Sequence, residues 1–176
     1  MTMSAVDVVN AHPNTTVLTV DFFDTMVTRT VAQPTHVFAV MEQSLVQEHG
    51  SRWAGVALAR VQAEHRARMT AAKTDSLRDI TIEEIAAELA IAMNLSSVEK
   101  SLVIASEKAT EVSLAKAVPA GTAIIAEAQA RGLRVLIVSD NYMPADHLVA
   151  MAHAVGIDIK LLNKLLYALQ VLVRFL

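Results

Sequence analysis

The chain has 176 residues, of which 53% are hydrophobic and 19% charged, and its formal net charge is −3. This composition can supply a buried core and excludes a disordered protein, and the weak negative charge gives no electrostatic basis for binding nucleic acid. The sequence contains no cysteine, which excludes disulfide frameworks, cysteine-ligated zinc and thiol chemistry and fits the reducing environment of the cytoplasm.

One strand and four helices are predicted in the first two thirds of the chain. Residues 16–20 are rich in β-branched side chains and bounded by turn residues, which predicts a buried strand. The helices are indicated by apolar residues at helical spacing, by Pro34 in a first helical turn and by capping boxes that begin at Thr81 and Ser96. Their predicted ranges are 34–49, 52–72, 81–93 and 96–118.

The pattern then changes to that of a parallel α/β sheet. An alanine-rich helix over residues 121–131 ends at Gly132, and a strongly apolar strand follows over 133–139. A further helix begins at Pro144 and ends before Gly156. Helix, glycine, strand, loop and helix in this order are typical of parallel sheets.

The charge changes sign near the end of the chain. The last acidic residue is Asp158, and the 18 residues after it carry three basic side chains and no acidic one. The leucines of 161–176 fall on one side of a helical wheel, which predicts a basic amphipathic helix. We expect this helix to dock on the body of the protein, on a partner or on a second copy, with membrane-surface binding as the alternative. No apolar stretch has the length of a transmembrane segment, and the N-terminus lacks the features of a signal peptide.

Polar residues lie at the ends of both predicted strands. Asp21 and Thr25 follow the first strand, and Ser139 and Asp140 end the second. Ligands of open parallel sheets bind outside the carboxyl ends of the strands, where a carboxylate can act as a nucleophile or hold a hard cation. A hydroxyl there can bind a phosphoryl oxygen. The alternative is that Asp21 caps a turn or helix and that Ser139 and Asp140 are ordinary linker residues.

These polar residues belong to two longer segments, VLTVDFFDTMVTR at 17–29 and VLIVSDNYMP at 135–144. The first resembles motif one of the haloacid dehalogenase (HAD) superfamily, in the branch that reads D-x-F-D-T-L-x-x-R. The second resembles motif two of that branch, a hydrophobic strand followed by S-D-M-Y-L-P. The helices between them, including 59–64 and 81–85, look like the inserted cap of a HAD enzyme, and the resemblance covers roughly residues 15–157.

The resemblance implies an α/β fold, with a HAD-like Rossmann core that has a partial parallel sheet and an inserted all-helical cap. The core would comprise residues 1–30 and 119–160, the cap 31–118, and the amphipathic helix 161–176.

The resemblance also implies roles for the polar residues. Asp21 would be the nucleophile that attacks a phosphoryl group, or a carbon with a leaving group, to give an aspartyl intermediate. Its other carboxylate oxygen and the backbone carbonyl of Phe23 would coordinate Mg²⁺, and the substrate would be a small phosphorylated molecule. The residues implied to bind substrate or phosphate are Thr25, Arg29, Ser139 and Asp140, with Arg60 and Glu64 as candidate contacts from the cap.

The chain departs from the HAD pattern at three places. Phe23 occupies the position where phosphatases of the family carry an acidic general acid–base, although dehalogenase-like members also lack that acid. The lysine of the third motif has only Lys160 and Lys164 as candidates, and neither follows a strand ending in Ser or Thr. The acidic pair of the fourth motif has no counterpart after Asp158.

Three interpretations therefore remain open. The chain is a HAD-like hydrolase, phosphatase- or dehalogenase-like, that acts through Asp21. It is instead a non-catalytic HAD-like protein that binds a ligand or partner, inactive because the third and fourth motifs are missing. In the third interpretation it is a truncated HAD protein whose last 18 or so residues replace half of the core.

Overall fold

Helices alternate with short strands in the structure, a computed structural model that describes residues 4–75, 78–157 and 164–167. The helices are α1 (Ala5–Asn10), α2 (His36–His49), α3 (Val56–Ala72), α4 (Ile82–Met93), α5 (Ser97–Leu114), α6 (Pro119–Ala130) and α7 (Ala145–Ala154), with a 3₁₀ turn at Ser51–Trp53. The strands are β1 (Val17–Asp21), β2 (Val27–Arg29), β3 (Ala115–Ala117), β4 (Arg134–Ser139) and β5 (Lys164–Tyr167).

The two strands predicted from the sequence, β1 and β4, are neighbours in a parallel sheet. β4 lies between β1 and β5, so that the order in the described residues is β1-β4-β5. Val135 and Ile137 of β4 are buried, as expected for an apolar strand covered by other elements. Because β1 and β4 are parallel, their carboxyl ends lie at the same end of the sheet.

A second, antiparallel pair consists of β2 and β3, which the sequence did not predict. The helix predicted over 96–118 ends at Leu114, because the next three residues pair with Val27–Arg29. Pro119 then begins α6 at its first helical position, where its missing N–H group costs nothing.

The prediction of a helix over 161–176 is wrong for residues 164–167, which form β5. Lys164 pairs with Leu136 and Tyr167 with Ser139, in parallel register. The physical reason is that β4 has two edges, and a short apolar run satisfies the second edge as readily as it forms a helical turn. The remaining residues of the predicted helix, 161–163 and 168–176, lie outside the described part of the chain.

The chain divides into two compact units. Unit 1 contains the described residues of Met1–Arg29, Ala115–Asn141 and Leu148–Leu176, and unit 2 contains those of Thr30–Leu114 and Tyr142–His147. Unit 1 holds both sheets. Unit 2 is helical, and it includes a short segment, Tyr142–His147, that begins three residues after the end of β4.

Unit 2 is built by α2–α5 around an apolar core, with the two predicted capping boxes in place. The Thr81 hydroxyl accepts the Glu84 N–H at 3.3 Å, and Glu84 Oε2 accepts the Thr81 N–H at 2.9 Å. Ser96 and Glu99 make the same reciprocal pair. The core consists of the buried side chains of Phe38, Met41, Leu45, Trp53, Val56, Ala63, Ala67, Ala71, Ile80, Ile85, Leu89 and Val103.

The predicted fold class is confirmed, since a Rossmann-like parallel sheet with flanking helices is interrupted by a helical unit. Among the described residues, no helix combines the length and apolarity needed to cross a membrane.

Candidate functional site

Asp21 is the last residue of β1, and its side chain is exposed at the carboxyl end of the sheet. In the register of the two strands Asp21 lies opposite Val138, one residue before Ser139. The structure therefore brings Asp21 and Ser139 to the ends of adjacent parallel strands, the place where ligands of such sheets bind.

A tight turn follows Asp21 directly. The Phe22 carbonyl accepts the N–H groups of Met26 and Val27, both at 3.0 Å, and the Val27 carbonyl accepts the Asp24 N–H at 2.8 Å. Asp24 has a φ of 56°, a left-handed conformation that Asp tolerates better than most residues. Phe22 is fully buried and fixes the turn to the interior.

The turn brings Thr25 back close to Asp21, the candidate nucleophile. Thr25 Oγ1 donates a hydrogen bond to Asp21 Oδ2 at 3.3 Å. One carboxylate oxygen thus has a partner that restricts rotation of the side chain. The substrate-binding role that the resemblance implies for Thr25 stays a prediction.

The start of α6 packs against this turn. Val118 N–H donates to the Met26 carbonyl at 2.8 Å. A Cβ atom on Gly121 would lie 1.8 Å from the carbonyl oxygen of Thr25, so only glycine fits there without movement of the backbone. Gly121 is a positioning element that the sequence analysis missed, because nothing local in an alanine-rich helix indicates such a close approach.

Phe23, two residues after Asp21, has no proton to donate to a leaving group. Its ring packs edge-on against Phe22, with centroids 5.0 Å apart and an interplanar angle of 81°. The Arg29 guanidinium lies 4.1 Å from the centroid of the Phe23 ring, in cation–π geometry. Arg29, which the resemblance implies as a substrate-binding residue, therefore lies over the Phe23 ring.

Asp24, the nearest other carboxylate in this turn, is bound to a different partner. Its Oδ1 accepts a hydrogen bond from the Thr28 hydroxyl at 2.8 Å. This bond directs the Asp24 carboxylate to β2.

Ser139 and Asp140 differ in exposure although they are adjacent. Ser139 is 2% exposed, and its Oγ accepts the Asn141 N–H at 3.4 Å, whereas Asp140 is exposed. A hydroxyl held in this way is oriented by its own loop. Of the two, Ser139 has the more defined position.

The residues at the strand ends do not make up a complete Mg²⁺ site. Mg²⁺ takes octahedral oxygen ligands, usually one or two carboxylates with substrate oxygens and waters. The resemblance offers Asp21 and the Phe23 carbonyl. In residues 4–75, 78–157 and 164–167, no three His, Cys, Asp or Glu side chains form a group that could hold a metal ion.

The backbone of Lys164 lies away from the strand ends. Lys164 is the first residue of β5 and pairs with Leu136, whereas Asp21 is at the level of Val138 and Leu166. At about 3.3 Å per residue, this offsets Lys164 by roughly 7 Å toward the amino end of the sheet. Lys160, the other candidate for the third-motif lysine, lies outside the described residues.

Arg60 and Glu64, the candidate cap contacts, form an ion-pair network in unit 2. Arg60 is 1% exposed, and its Nε and second terminal nitrogen donate to the two carboxylate oxygens of Glu107 at 2.6 and 2.7 Å. Its remaining terminal nitrogen donates to Glu64 at 3.1 Å. Arg60 is therefore not available as a direct substrate contact. Glu107 was not predicted from the sequence: it is a carboxylate on the buried side of α5, four residues after the core residue Val103.

The buried network changes the ionisation of a neighbouring phenol. Tyr142 is packed over Arg60, and burial, reinforced by the carboxylates of Glu107 and Glu111, raises the pKa of Tyr142 well above its ordinary value. The pKa of Arg60 is also raised: burial opposes the charge, but the bidentate hydrogen bonds to Glu107 outweigh it. Arg60 is charged and Tyr142 neutral at any physiological pH.

No protein-family model matches the chain, and no curated protein sequence matches it. A solved structure of L-2-haloacid dehalogenase from Xanthobacter autotrophicus, with chloropropionic acid covalently bound, is similar at a TM-score of 0.49 and 13% identity. The similarity covers 87% of this chain, which spans 56% of the dehalogenase chain.

Proposed function

We propose that unit 1 carries a HAD-type hydrolase site in which Asp21 is the nucleophile and the substrate is a small phosphorylated molecule. One observation supports this proposal most strongly: the exposed Asp21 carboxylate accepts a hydrogen bond from Thr25, and Asp21 and Ser139 lie at the ends of adjacent parallel strands. The cytoplasm is the compartment that we propose for this activity.

In the proposed reaction a carboxylate oxygen of Asp21 attacks phosphorus, and the bond from phosphorus to the leaving group breaks. The leaving group departs with the electron pair, and an aspartyl phosphate remains. Water then hydrolyses this intermediate and regenerates the carboxylate. Ser139 donates its hydroxyl to an oxygen of the transferring group, and Thr25 keeps Asp21 oriented for attack.

Phe23 restricts the substrates that this site can process. Phe23 has no acidic group, and the Asp24 carboxylate is hydrogen-bonded to Thr28. The leaving group therefore has to depart without protonation by these residues. We therefore propose that aryl or acyl phosphates react faster than alkyl phosphates.

The same observation favours a second candidate, displacement at carbon. Asp21 would attack a carbon that bears a halogen, the carbon–halogen bond would break, and halide would leave with the electron pair. Water would then hydrolyse the aspartyl ester. Halide needs no general acid, so Phe23 is compatible with this reaction without restriction.

We propose that phosphoryl transfer at this site requires Mg²⁺, which would neutralise charge on the phosphate oxygens of the substrate. Substrate phosphate oxygens would have to supply ligands that the described residues do not. Assays with Mg²⁺ and with EDTA measure this requirement directly.

The experiment compares the chain with its Asp21→Asn variant on p-nitrophenyl phosphate, an alkyl phosphate and 2-chloropropionate. We expect turnover that Asp21→Asn abolishes and that Asp24→Asn, a matched change in the same turn, retains. Equal rates for the chain and Asp21→Asn would overturn the proposal. In that case, retained affinity for inorganic phosphate would support the non-catalytic binding interpretation.

A further inference from the structure

Arg60 is a buried charged side chain of unit 2, 1% exposed, and it contacts three different parts of that unit. Its Nε and one terminal nitrogen form a two-pronged donor, the fork of the guanidinium, which binds Glu107 on α5 through two hydrogen bonds of 2.6 and 2.7 Å. Its guanidinium carbon lies 4.6 Å from the ring centroid of Phe38 on α2 and 4.9 Å from that of Tyr142. The guanidinium is therefore held by Glu107 through hydrogen bonds, and its central carbon lies over two aromatic rings.

The backbone of Tyr142 is also hydrogen-bonded to unit 2. Its carbonyl accepts the N–H of Ile82, the first residue of α4, at 3.2 Å. The next residue, Met143, is 1% exposed. Two consecutive residues are thus held in unit 2 by stacking, a hydrogen bond and burial.

Only two residues separate this segment from Ser139, the candidate phosphate-binding residue. Ser139 ends β4, the Asn141 N–H donates to the Ser139 hydroxyl at 3.4 Å, and the chain enters unit 2 at Tyr142. The N–H that orients Ser139 therefore belongs to the residue bonded directly to Tyr142.

We propose that Arg60 is a positioning residue for Ser139, acting through the stacked ring of Tyr142 and the backbone of Asn141. This inference rests on the proposed role of Ser139 as a phosphate ligand. Lysine cannot replace Arg60 in this role, since an ammonium group has neither the flat faces nor the fork that hold ring and carboxylate together.

The alternative is that Arg60 and Glu107 only stabilise unit 2. In that case the effect of substituting Arg60 would not depend on the ring of Tyr142. The substitution would loosen the surrounding helices as much as the segment after β4. The two roles therefore differ in where the effect of a substitution appears.

The experiment uses the full chain and four variants. Arg60→Lys removes the fork, and Tyr142→Leu removes the stacked ring but leaves the buried ion pair intact, so that it remains informative if Arg60→Lys fails to fold. Tyr142→Phe keeps the ring. Arg66→Lys is the matched control, because Arg66 lies on the same helix and faces Glu88 at 3.6 Å.

Hydrogen exchange of the backbone amides of residues 140–143 is measured by NMR, with those of β1 and α5 as references. The dissociation constant for inorganic phosphate is obtained from the same spectra. We expect Arg60→Lys and Tyr142→Leu to speed exchange at 140–143 about fivefold relative to the references, and to weaken phosphate binding by about the same factor. Tyr142→Phe and Arg66→Lys should leave both values at those of the unchanged protein.

The outcomes separate this inference from the function on which it rests. If exchange at 140–143 is unchanged, or rises only in step with the references, Arg60 has no positioning role and the inference is overturned. The same holds if exchange rises selectively while phosphate affinity stays constant. If the unchanged chain does not bind phosphate at all, the proposed function fails, and the exchange data still decide whether Arg60 holds the segment.

Discussion

The α-carbon of Gly121 approaches the carbonyl oxygen of Thr25 so closely that a Cβ atom on it would lie 1.8 Å from that oxygen. Backbone occupies the space on both sides, so a larger residue has to displace the turn that follows Asp21. The fit of α6 against this turn sets the position of Thr25.

Gly121→Ala should destabilise the protein by about 1–3 kcal/mol, the range for overpacked sites. Helix propensity alone would stabilise this variant by up to about 1 kcal/mol, so the sign of the change is decisive. Urea unfolding measures it. Ala120→Ser, which adds one atom at the preceding exposed position, should stay within about 0.5 kcal/mol, and a stabilised Gly121→Ala would contradict the close contact.

Thr25→Val should lower activity because it removes the hydroxyl that restrains Asp21 but keeps the shape of the side chain. A loss of about three- to tenfold in kcat corresponds to one hydrogen bond to a carboxylate near the surface. The rate is measured on p-nitrophenyl phosphate. Thr28→Val is the control, since it removes the equivalent bond to Asp24, and equal losses in the two variants would count against a special role of Thr25.

His147 should make the stability of the protein depend on pH. Burial, with a contribution from Lys108 that outweighs Asp146, lowers the pKa of His147 from 6.5 to about 4, and its Nε2 has no hydrogen-bond partner among the described residues. As the pH falls, the unfolded chain takes up the proton on His147 at a higher pH than the folded chain does. The contribution of neutral His147 to the free energy of unfolding is therefore fully present above pH 6.5 and is lost as the pH decreases toward 4. The loss is on the order of 2 kcal/mol.

Urea unfolding between pH 7 and pH 5 tests this dependence. Glu84 and Glu99 also have lowered pKa values, so their contributions are lost only below their unfolded value of 4.5. The window above pH 5 therefore isolates His147. His147→Gln should remove the slope in that window, and a slope that persists in this variant would assign it to another group.

Glu107→Gln should cost about 3–5 kcal/mol, because it leaves the Arg60 charge buried without its main partner. Glu64→Gln, which changes a carboxylate with 25% side-chain exposure, should cost less than about 1 kcal/mol. Both values come from chemical denaturation at neutral pH. Equal costs would show that the two carboxylates share the Arg60 charge evenly.

The elements that the sequence predicted correctly depend on local signals. Helical spacing and the boxes at Thr81 and Ser96 identify helices of unit 2, and apolar runs identify β1 and β4. β2 and β3 have three residues each and form only because segments distant in the sequence pair with each other. No local pattern reports such a pairing.

The incorrect prediction at 164–167 has a related cause. A leucine-rich segment satisfies a helical wheel and also suits the edge of a parallel sheet, so tertiary pairing with β4 decides between them. The candidate site divides in the same way. Asp21, Thr25 and Ser139 could be placed from their motifs, whereas the Arg60–Glu107 pair depends on how α3 packs near α5.

The chain crosses between unit 1 and unit 2 four times, at 29/30, 114/115, 141/142 and 147/148. Unit 2 is for this reason not a single insertion that can be excised. Deleting residues 30–114 would leave Tyr142 without the apolar core against which it packs and without Arg60, which lies over its ring. Dissection of this protein into separate domains, or transfer of its helical unit to another core, has to move the six residues after Asn141 together with the helices.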